Sequence, residues 1–473
     1  MTRAVVVGSG PNGLAAALVL ADAGMSVEVV EAADTLGGGT RSAELTLPGL
    51  VHDVCAAIHP LAIATRFSQA FDLAEHGLSW VEPEVQYSHP LDAGRGATAY
   101  RSVEETARQL GGRDGRTWGR VFGSLTDRFH TIADEFLQPV LHVPRHPLHL
   151  GRFGLYAGQP ASLLARRWRD DEARALLAGL AAHAFRPLGS LASSAIGVAL
   201  GTAAHRYGWG AAVGGSAAIS TAMVAAAKQR GVLFETGRTV TGLDELGPAD
   251  VVMLDTAPGA AADIVGDRLP RHVARAYRRY RHGPGAFKVD FAVEGGVPWS
   301  HEPSRRAGTV HVGGTFEEVA AAEASVARGR MPARPFVLAA QQYVADPTRS
   351  VGDVHPFYTY AHVPAGYTGD ATEAIVAQVE RFAPGFRDRI RATAVCSTTE
   401  MSRKNANYVG GDIVSGANDP LQLVFRPRVT LHPYATGADG VFLCSAATPP
   451  GAGAHGMSGY WAAQAALRSV ARG

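Results

Sequence analysis

The sequence predicts an α/β protein: a Rossmann-type parallel sheet at the N-terminus, joined to a second, mixed α+β domain. Three observations predict the sheet. Ala4-Val5-Val6-Val7 is a run of apolar residues that reads as a buried strand. Gly8-Ser9-Gly10-Pro11-Asn12-Gly13 follows at once and opens a helix from Leu14 to Ala23. Val27-Glu28-Val29-Val30-Glu31 is a second strand, and its terminal acid stands 23 residues beyond Gly8.

Each part of this unit has a physical task. Gly8 permits a tight turn, Gly10 lets backbone N–H groups approach a pyrophosphate, and Gly13 lets the helix pack closely on the strand. Glu31 has the spacing of an acid that binds a ribose hydroxyl. In this strand–turn–helix–strand context the glycines predict a bound dinucleotide.

The remaining elements follow in order. Gly24 closes the first helix. Gly37-Gly38-Gly39-Thr40-Arg41 brings backbone donors together, with Arg41 in reach of a phosphate. Residues 47–60 read as a hairpin or loop carrying His52, Asp53, Cys55 and His59. From Trp118 to Gln138 the spacing of Phe122, Leu125, Phe129, Ile132 and Phe136 predicts one helix, facing the core or walling an apolar tunnel. Residues 139–160, rich in Pro, His and Gly, read as a loop or linker. Residues 170–185 read as a helix. Gly214-Gly215-Ser216 precedes a helix from Ala217 to Lys228, and residues 232–235 and 239–243 read as short strands. Residues 250–255 form another buried strand. Residues 287–293 alternate and belong to a different sheet, which 335–343 and 357–363 continue. A last strand over 440–444 leads into a glycine loop, Thr448 to Met457, and a helix from Gly459 onward. No internal repeat and no second G-x-G-x-x-G occurs.

Bulk properties narrow the partners. A chain of 473 residues predicts two or three interwoven domains. A net charge of +1, from 44 basic and 43 acidic residues, with no basic run, points away from nucleic acid. Only Lys228, Lys288 and Lys404 are lysines. This arginine dominance reads as coding bias, so arginine number carries no functional weight. Cys55, Cys396 and Cys444 form no C-x-x-C pair, which argues against a disulfide framework, a zinc site or a dithiol redox centre. With a strand starting at Arg3 and no apolar run of about 18 residues, the expectation is a cytoplasmic protein; peripheral membrane contact stays open. Nothing in the sequence sets the oligomeric state.

The opening fingerprint, the Gly37–Arg41 stretch, the Gly214-Gly215-Ser216 helix and the terminal glycine loop resemble FAD-dependent oxidoreductases of the phytoene desaturase/amine oxidase superfamily. Lys288-Val289-Asp290, Pro298-Trp299 and Cys444-Ser445-Ala446-Ala447-Thr448-Pro449-Pro450-Gly451 resemble its phytoene-dehydrogenase-like subgroup. The resemblance implies a discontinuous FAD-binding domain over 1–75, 205–265 and 430–473, and a substrate-binding domain over 76–204 and 266–429. It carries FAD contacts to Gly8, Gly10, Pro11, Asn12, Gly13, Glu31, Gly38, Thr40, Arg41, Val240, Gly453 and Met457. The family's Gly-Gly-Arg departs here, with Arg41 two positions later.

A flavin accepts a hydride at N5, so few protein groups are required. Lys288 resembles the amine-oxidase lysine that holds a water against the flavin; the plain alternative is a strand-end lysine with its head in solvent. His455 lies in the flavin-facing loop and either stabilises charge on the flavin or orders that loop. His59 and His52 should approach from the other side, and Asp53 reads as a turn residue. Tyr207 and Trp209 are expected at the substrate, with His205 beside them; a core aromatic cluster explains them equally well. His311, His362 and Tyr434 are weaker candidates. The expected activity is hydride removal from a C–H bond of a small, largely apolar molecule. Alternatives are amine oxidase-like C–N oxidation, polyene isomerisation by reduced FAD, and a flavin-bearing binding or scaffold protein with little turnover.

Overall fold

The computed structural model describes residues 2–471. Its first sheet has five parallel strands, in the spatial order Val441–Leu443, Val251–Leu254, Arg3–Val7, Ser26–Val30 and Leu233–Glu235. Val5 lies between Val252 and Glu28 in register. Three of these strands come from far along the chain, so the sheet is complete only when the C-terminus returns. The helix Pro11–Asp22 is buried from Asn12 to Leu20. It is apolar all round because helices Ala217–Gln229 and Met457–Val470 also pack against it. A Cβ at Gly459 would lie 1.8 Å from Asn12 O, so that crossing requires glycine.

The second sheet has seven strands, in the order Ile390–Cys396, Gly285–Glu294, Val354–Val363, Val337–Ala340, Ala307–Val312, Val85–Pro90 and Gly96–Ala99. Neighbours are antiparallel, except that Ala307–Val312 runs parallel to Val85–Pro90. The period-two pattern sorts its faces. Phe287, Val289, Phe291 and Val293 enter one core with Trp299, Phe357 and Phe386. Lys288 and Asp290 point to the opposite face, where Tyr358 and Tyr360 join the larger core.

Helices cover that opposite face. The apolar stripe expected over 118–138 is real but spans two helices, Gly112–Asp127 and Phe129–Phe136, broken at Arg128. Trp118, Phe122, Leu125 and Phe129 fill the core. Two expectations are corrected. Residues 139–160 contain a helix, Pro147–Ala157, because Pro147 stands at its first turn, where a missing N–H costs nothing. Residues 239–243 are not a strand; the chain runs irregularly into a 3₁₀ turn at Leu243–Leu246.

One polar cluster ties the parts together. Arg349, 1% exposed, donates from Nη1 to Asp53 (2.6 Å), from Nε to Asp346 (3.1 Å) and from Nη2 to Ala212 O (2.6 Å). Asp53 also accepts from Ser216 N–H (2.7 Å) and the Ser42 hydroxyl (2.9 Å). Asp346 accepts from Gly214 N–H (2.7 Å). Asp53 is thus an ion-pair anchor, beyond the turn residue read from sequence. Arg349→Ala leaves Asp53 and Asp346 buried without their counter-ion and should destabilise the fold by about 3–5 kcal/mol, read as a lower midpoint in urea unfolding.

Candidate functional site

A cavity of about 1130 Å³ runs from the first glycine turn, past the C-terminal loop, to the helices that cover the second sheet. Its first end is a polar cradle. Gly8 has φ +99°, and Gly13 approaches so closely that a Cβ would meet Gly8 O at 2.2 Å. A Cβ at Gly38 would lie 2.8 Å from Gly10 Cα, and one at Gly39 would lie 2.2 Å from the Tyr408 hydroxyl. The glycine triplet therefore packs the second loop onto the first turn as well as supplying donors.

Glu31 Oε2 accepts from Ser9 N–H (2.9 Å) and the Ser9 hydroxyl (2.6 Å), and Oε1 accepts from Ala33 N–H (2.9 Å). Arg41 lies 3.7 Å from Glu31 and donates to Thr35 O (2.6 Å); its Nε is buried with no partner, as is Asn12 Oδ1. Pro11, Asn12, Thr40, Val240 and Gly453 all line the cavity. The cradle fits a dinucleotide: the N-cap of the helix Pro11–Asp22 is Gly10, which has no side chain to occupy the helix end, unpaired polar atoms sit at the lip, and the approach is lined by glycine.

Asp255 was not anticipated. It ends the strand Val251–Leu254 beneath the turn, and its Oδ2 accepts from Gly13 N–H (3.0 Å). A Cβ on Gly10 would lie 2.6 Å from that oxygen. Burial pushes the carboxyl up to about 7, with Glu31 adding repulsion.

His59 and His455 also line the cavity. The Ser216 hydroxyl donates to Ala56 O (2.7 Å), so it accepts from His59 Nε2–H (2.9 Å), leaving Nδ1 as an acceptor. His455 Nδ1 accepts from Met457 N–H (3.1 Å), which puts its proton on Nε2. Burial lowers both imidazoles to about 4, so both are neutral at pH 7. The His455 ring lies against Gly453, where a Cβ would meet Cδ2 at 2.6 Å.

Other candidates sit away from the wall. Lys288 is 1% exposed and pairs with Asp290, its ammonium 4.4 Å from the centre of the Tyr358 ring. It lies one layer behind Tyr358, whose hydroxyl donates to Cys55 O (2.6 Å). The solvent-exposed strand-end alternative is corrected: this lysine is buried and ion-paired. His52 is in the same layer, 3.5 Å from Asp290. Met457 places its side chain in the core. Tyr207 packs on Phe129 outside the cavity, whereas Trp209 is on the wall and donates to Thr309 Oγ1 (2.7 Å). His205 accepts from Trp118 Nε1–H (3.0 Å) within the helical core. The Tyr434 hydroxyl braces the C-terminal loop at Pro449 O (3.1 Å).

The far end of the cavity is largely apolar: Phe136, Leu150, Phe153, Ile196, Leu200 and Leu338. Tyr358 and Tyr360, nearly perpendicular with ring centres 5.9 Å apart, and His183 join it. His183 Nε2 lies 3.0 Å from His311 Nε2, so this contact holds one proton between two rings. His362 pairs with Glu323 (2.7 Å) beyond the wall. None of the tyrosines nor His183 was anticipated.

Asp255 carries a pH signature. Its carboxyl is raised in the folded chain, from 3.8 to about 7, so the native state keeps a proton that the unfolded chain releases in that window. Its contribution is complete below about pH 4 and is lost as pH rises through 7, by about 1.4 kcal/mol per pKa unit. Asp255→Asn keeps an acceptor for Gly13 N–H and removes the titration. The difference in unfolding midpoint between variant and wild type should therefore grow in the variant's favour from pH 5 to pH 8; a constant difference would contradict this.

A family model of an NAD(P)-binding Rossmann-like domain matches residues 6–74. A phytoene dehydrogenase from Streptomyces griseus is 26% identical over 86% of this chain and 80% of its own. An oxidoreductase from Methanosarcina mazei shares the fold with a TM-score of 0.66 and 15% identity, over 99% of this chain and 100% of its own. A putrescine oxidase bound to putrescine does so with a TM-score of 0.60 and 18% identity, over 100% and 99%. In sequence the chain is thus similar to a phytoene dehydrogenase, and in its two-sheet fold with a glycine cradle it is similar to a solved oxidoreductase and to a putrescine oxidase.

Proposed function

We propose that the chain binds FAD and removes a hydride from a C–H bond of a small, largely apolar molecule. The observation that carries this reading is one cavity lined both by the polar glycine cradle and by a set of apolar side chains, with His59 and His455 on its wall. Bound FAD supplies the hydride acceptor. Gly10 and the Arg41 guanidinium would hold its phosphates, and Glu31 a ribose hydroxyl, while Gly13 lets the helix pack close beneath them. Neutral His59 and His455 offer one acceptor nitrogen and one ring N–H without placing a charge in the chamber. Phe153, Ile196 and Trp209 orient the substrate and keep water from the reacting bond. Lys288 acts through Tyr358, as a positioning residue.

One observation favours a second reading, C–N oxidation of an amine. Tyr358 and Tyr360 put two aromatic rings on the wall, a pairing that the sequence did not reveal. Against it, the acids among the described lining residues, Glu31 and Asp255, both belong to the cradle, so no carboxylate waits for an ammonium group.

The protein should purify yellow and release FAD on denaturation. Mixed anaerobically with a panel of polyenes, apolar alcohols and alkyl amines, it should lose its oxidised-flavin absorption with an apolar C–H donor. Bleaching by amines alone would establish the second reading.

We also propose peripheral contact with an anionic lipid surface at the apolar end. Residues 136–169 contain five arginines and no acid. Val143, Leu148 and Leu155 are 89%, 86% and 68% exposed there, beside cavity-lining Leu150 and Phe153. Among the described residues no helix is long and apolar enough to cross a membrane. The protein should sediment with phosphatidylglycerol-containing vesicles, less with pure phosphatidylcholine, and less again at high salt. Leu148→Asp combined with Leu155→Asp should abolish the binding.

A further inference from the structure

The wall carries a buried cation whose charge no carboxylate among the described residues answers. Arg426 is 2% exposed and lines the cavity. Its Nε donates to Gln422 O (3.1 Å), its Nη2 to Asn418 Oδ1 (3.0 Å) and its Nη1 to Ala446 O (3.4 Å). All three acceptors are neutral. Among the described residues no carboxylate lies within 4.0 Å of this guanidinium, whereas the other two cations buried to 1%, Lys288 and Arg349, each have one or two. A guanidinium keeps its charge under all ordinary conditions, and a buried charge without a counter-ion is strongly disfavoured.

Local structure holds the group in place. The Asn418 amide donates onward to Ala184 O (3.2 Å), next to His183 on the wall. Nη1 lies against Gly451 of the C-terminal loop, where a Cβ would come within 2.7 Å. Gly451 (φ +113°) thus gives Nη1 its space, and Nη1, whose contact with Ala446 O is the longest of the three, is the donor least engaged by protein.

We propose that Arg426 is the receptor for an anionic oxygen group of a molecule held in the cavity. The charge-assisted bond formed there would supply the missing counter-ion. Two sources share this chemistry: a carboxylate at the head of an otherwise apolar substrate, and the negative charge carried by the cofactor when it is reduced. The first deepens the apolar-substrate reading proposed above, and the second rests on FAD being bound.

The test uses the purified full-length protein with whatever cofactor it retains, and its absorption spectrum first reports whether flavin is present. Decanoate and 1-decanol are titrated at pH 8 while Trp fluorescence is followed, since Trp209 is on the wall. The flavin reduction potential is measured in wild type, Arg426→Met and Arg426→Lys. If the anion belongs to the substrate, wild type binds decanoate about 10- to 100-fold more tightly than decanol; Arg426→Met loses that preference and Arg426→Lys keeps part of it. If it belongs to the cofactor, decanoate has no advantage, but the potential falls in Arg426→Met and is largely restored in Arg426→Lys. Equal affinity for the two probes together with an unchanged potential overturns the proposal. Should Arg426→Met not fold, Arg426→Gln, which keeps hydrogen-bond donors without the charge, takes its place in both measurements. A colourless protein that prefers decanoate removes the FAD reading and leaves the anion receptor standing; a colourless protein without that preference overturns both.

Discussion

The two sheets are held around one cavity by a buried ion-pair cluster, and the rest of the architecture follows from it. Arg349 is contributed by the segment between two strands of the seven-stranded sheet, whereas Asp53 comes from the loop that follows the glycine cradle. Ser216 and Gly214, bonded to the same carboxylates, begin the helix Ala217–Gln229 that packs on the first helix of the nucleotide sheet. Three distant stretches of chain therefore meet at two carboxylates. Such a cluster tolerates little movement, because a displaced member leaves a charge unpaired in a medium that solvates it poorly. The cluster also fixes Ser216, and with it the ring orientation of His59.

Along the cavity, burial keeps several titratable side chains wholly or partly neutral. The cradle uses backbone donors and a carboxyl that burial holds near half-protonation at pH 7. The wall also carries imidazoles that burial keeps uncharged. The apolar end uses aromatic rings and aliphatic groups. A hydride transfer moves a charge equivalent without a free proton, and a chamber poor in titratable carboxylates leaves such a step undisturbed by competing protonation.

Local order was legible in the sequence; long-range pairing was not. The first βαβ unit could be read because strand, turn and helix are contiguous and each glycine answers a nearby atom, as Gly13 answers Gly8 O. Lys288 was visible as unusual, and the Lys288-x-Asp290 spacing already put both on one face of a strand. That spacing signals an ion pair, which the structure forms. What no local pattern carries is the register that sets Tyr360 opposite Lys288 and Tyr358 opposite Asp290, and so covers the pair with rings. His183 and Tyr207 show the same limit. One lies beyond a helix end and reaches the wall through tertiary packing, whereas the other, at a similar place on the next helix, turns toward Phe129.

Of the cations near the chamber, sequence reasoning favoured the one with a familial motif. Lys288 stood out by its resemblance to the amine-oxidase lysine, whereas among the arginines only Arg41 carried a motif and their number carried no functional weight. Abundance, however, says nothing about where a charge ends up. Lys288 has its carboxylate at the next same-face position of its own strand and is neutralised before any ligand arrives. Arg426 follows a short helix, Pro420–Val424, that presents it with carbonyl and amide oxygens but no acid. A cation answered within the protein stabilises the fold. One left unanswered on a cavity wall raises the energy of the empty site and lowers that of a site holding an anion, and this difference is what a binding group needs.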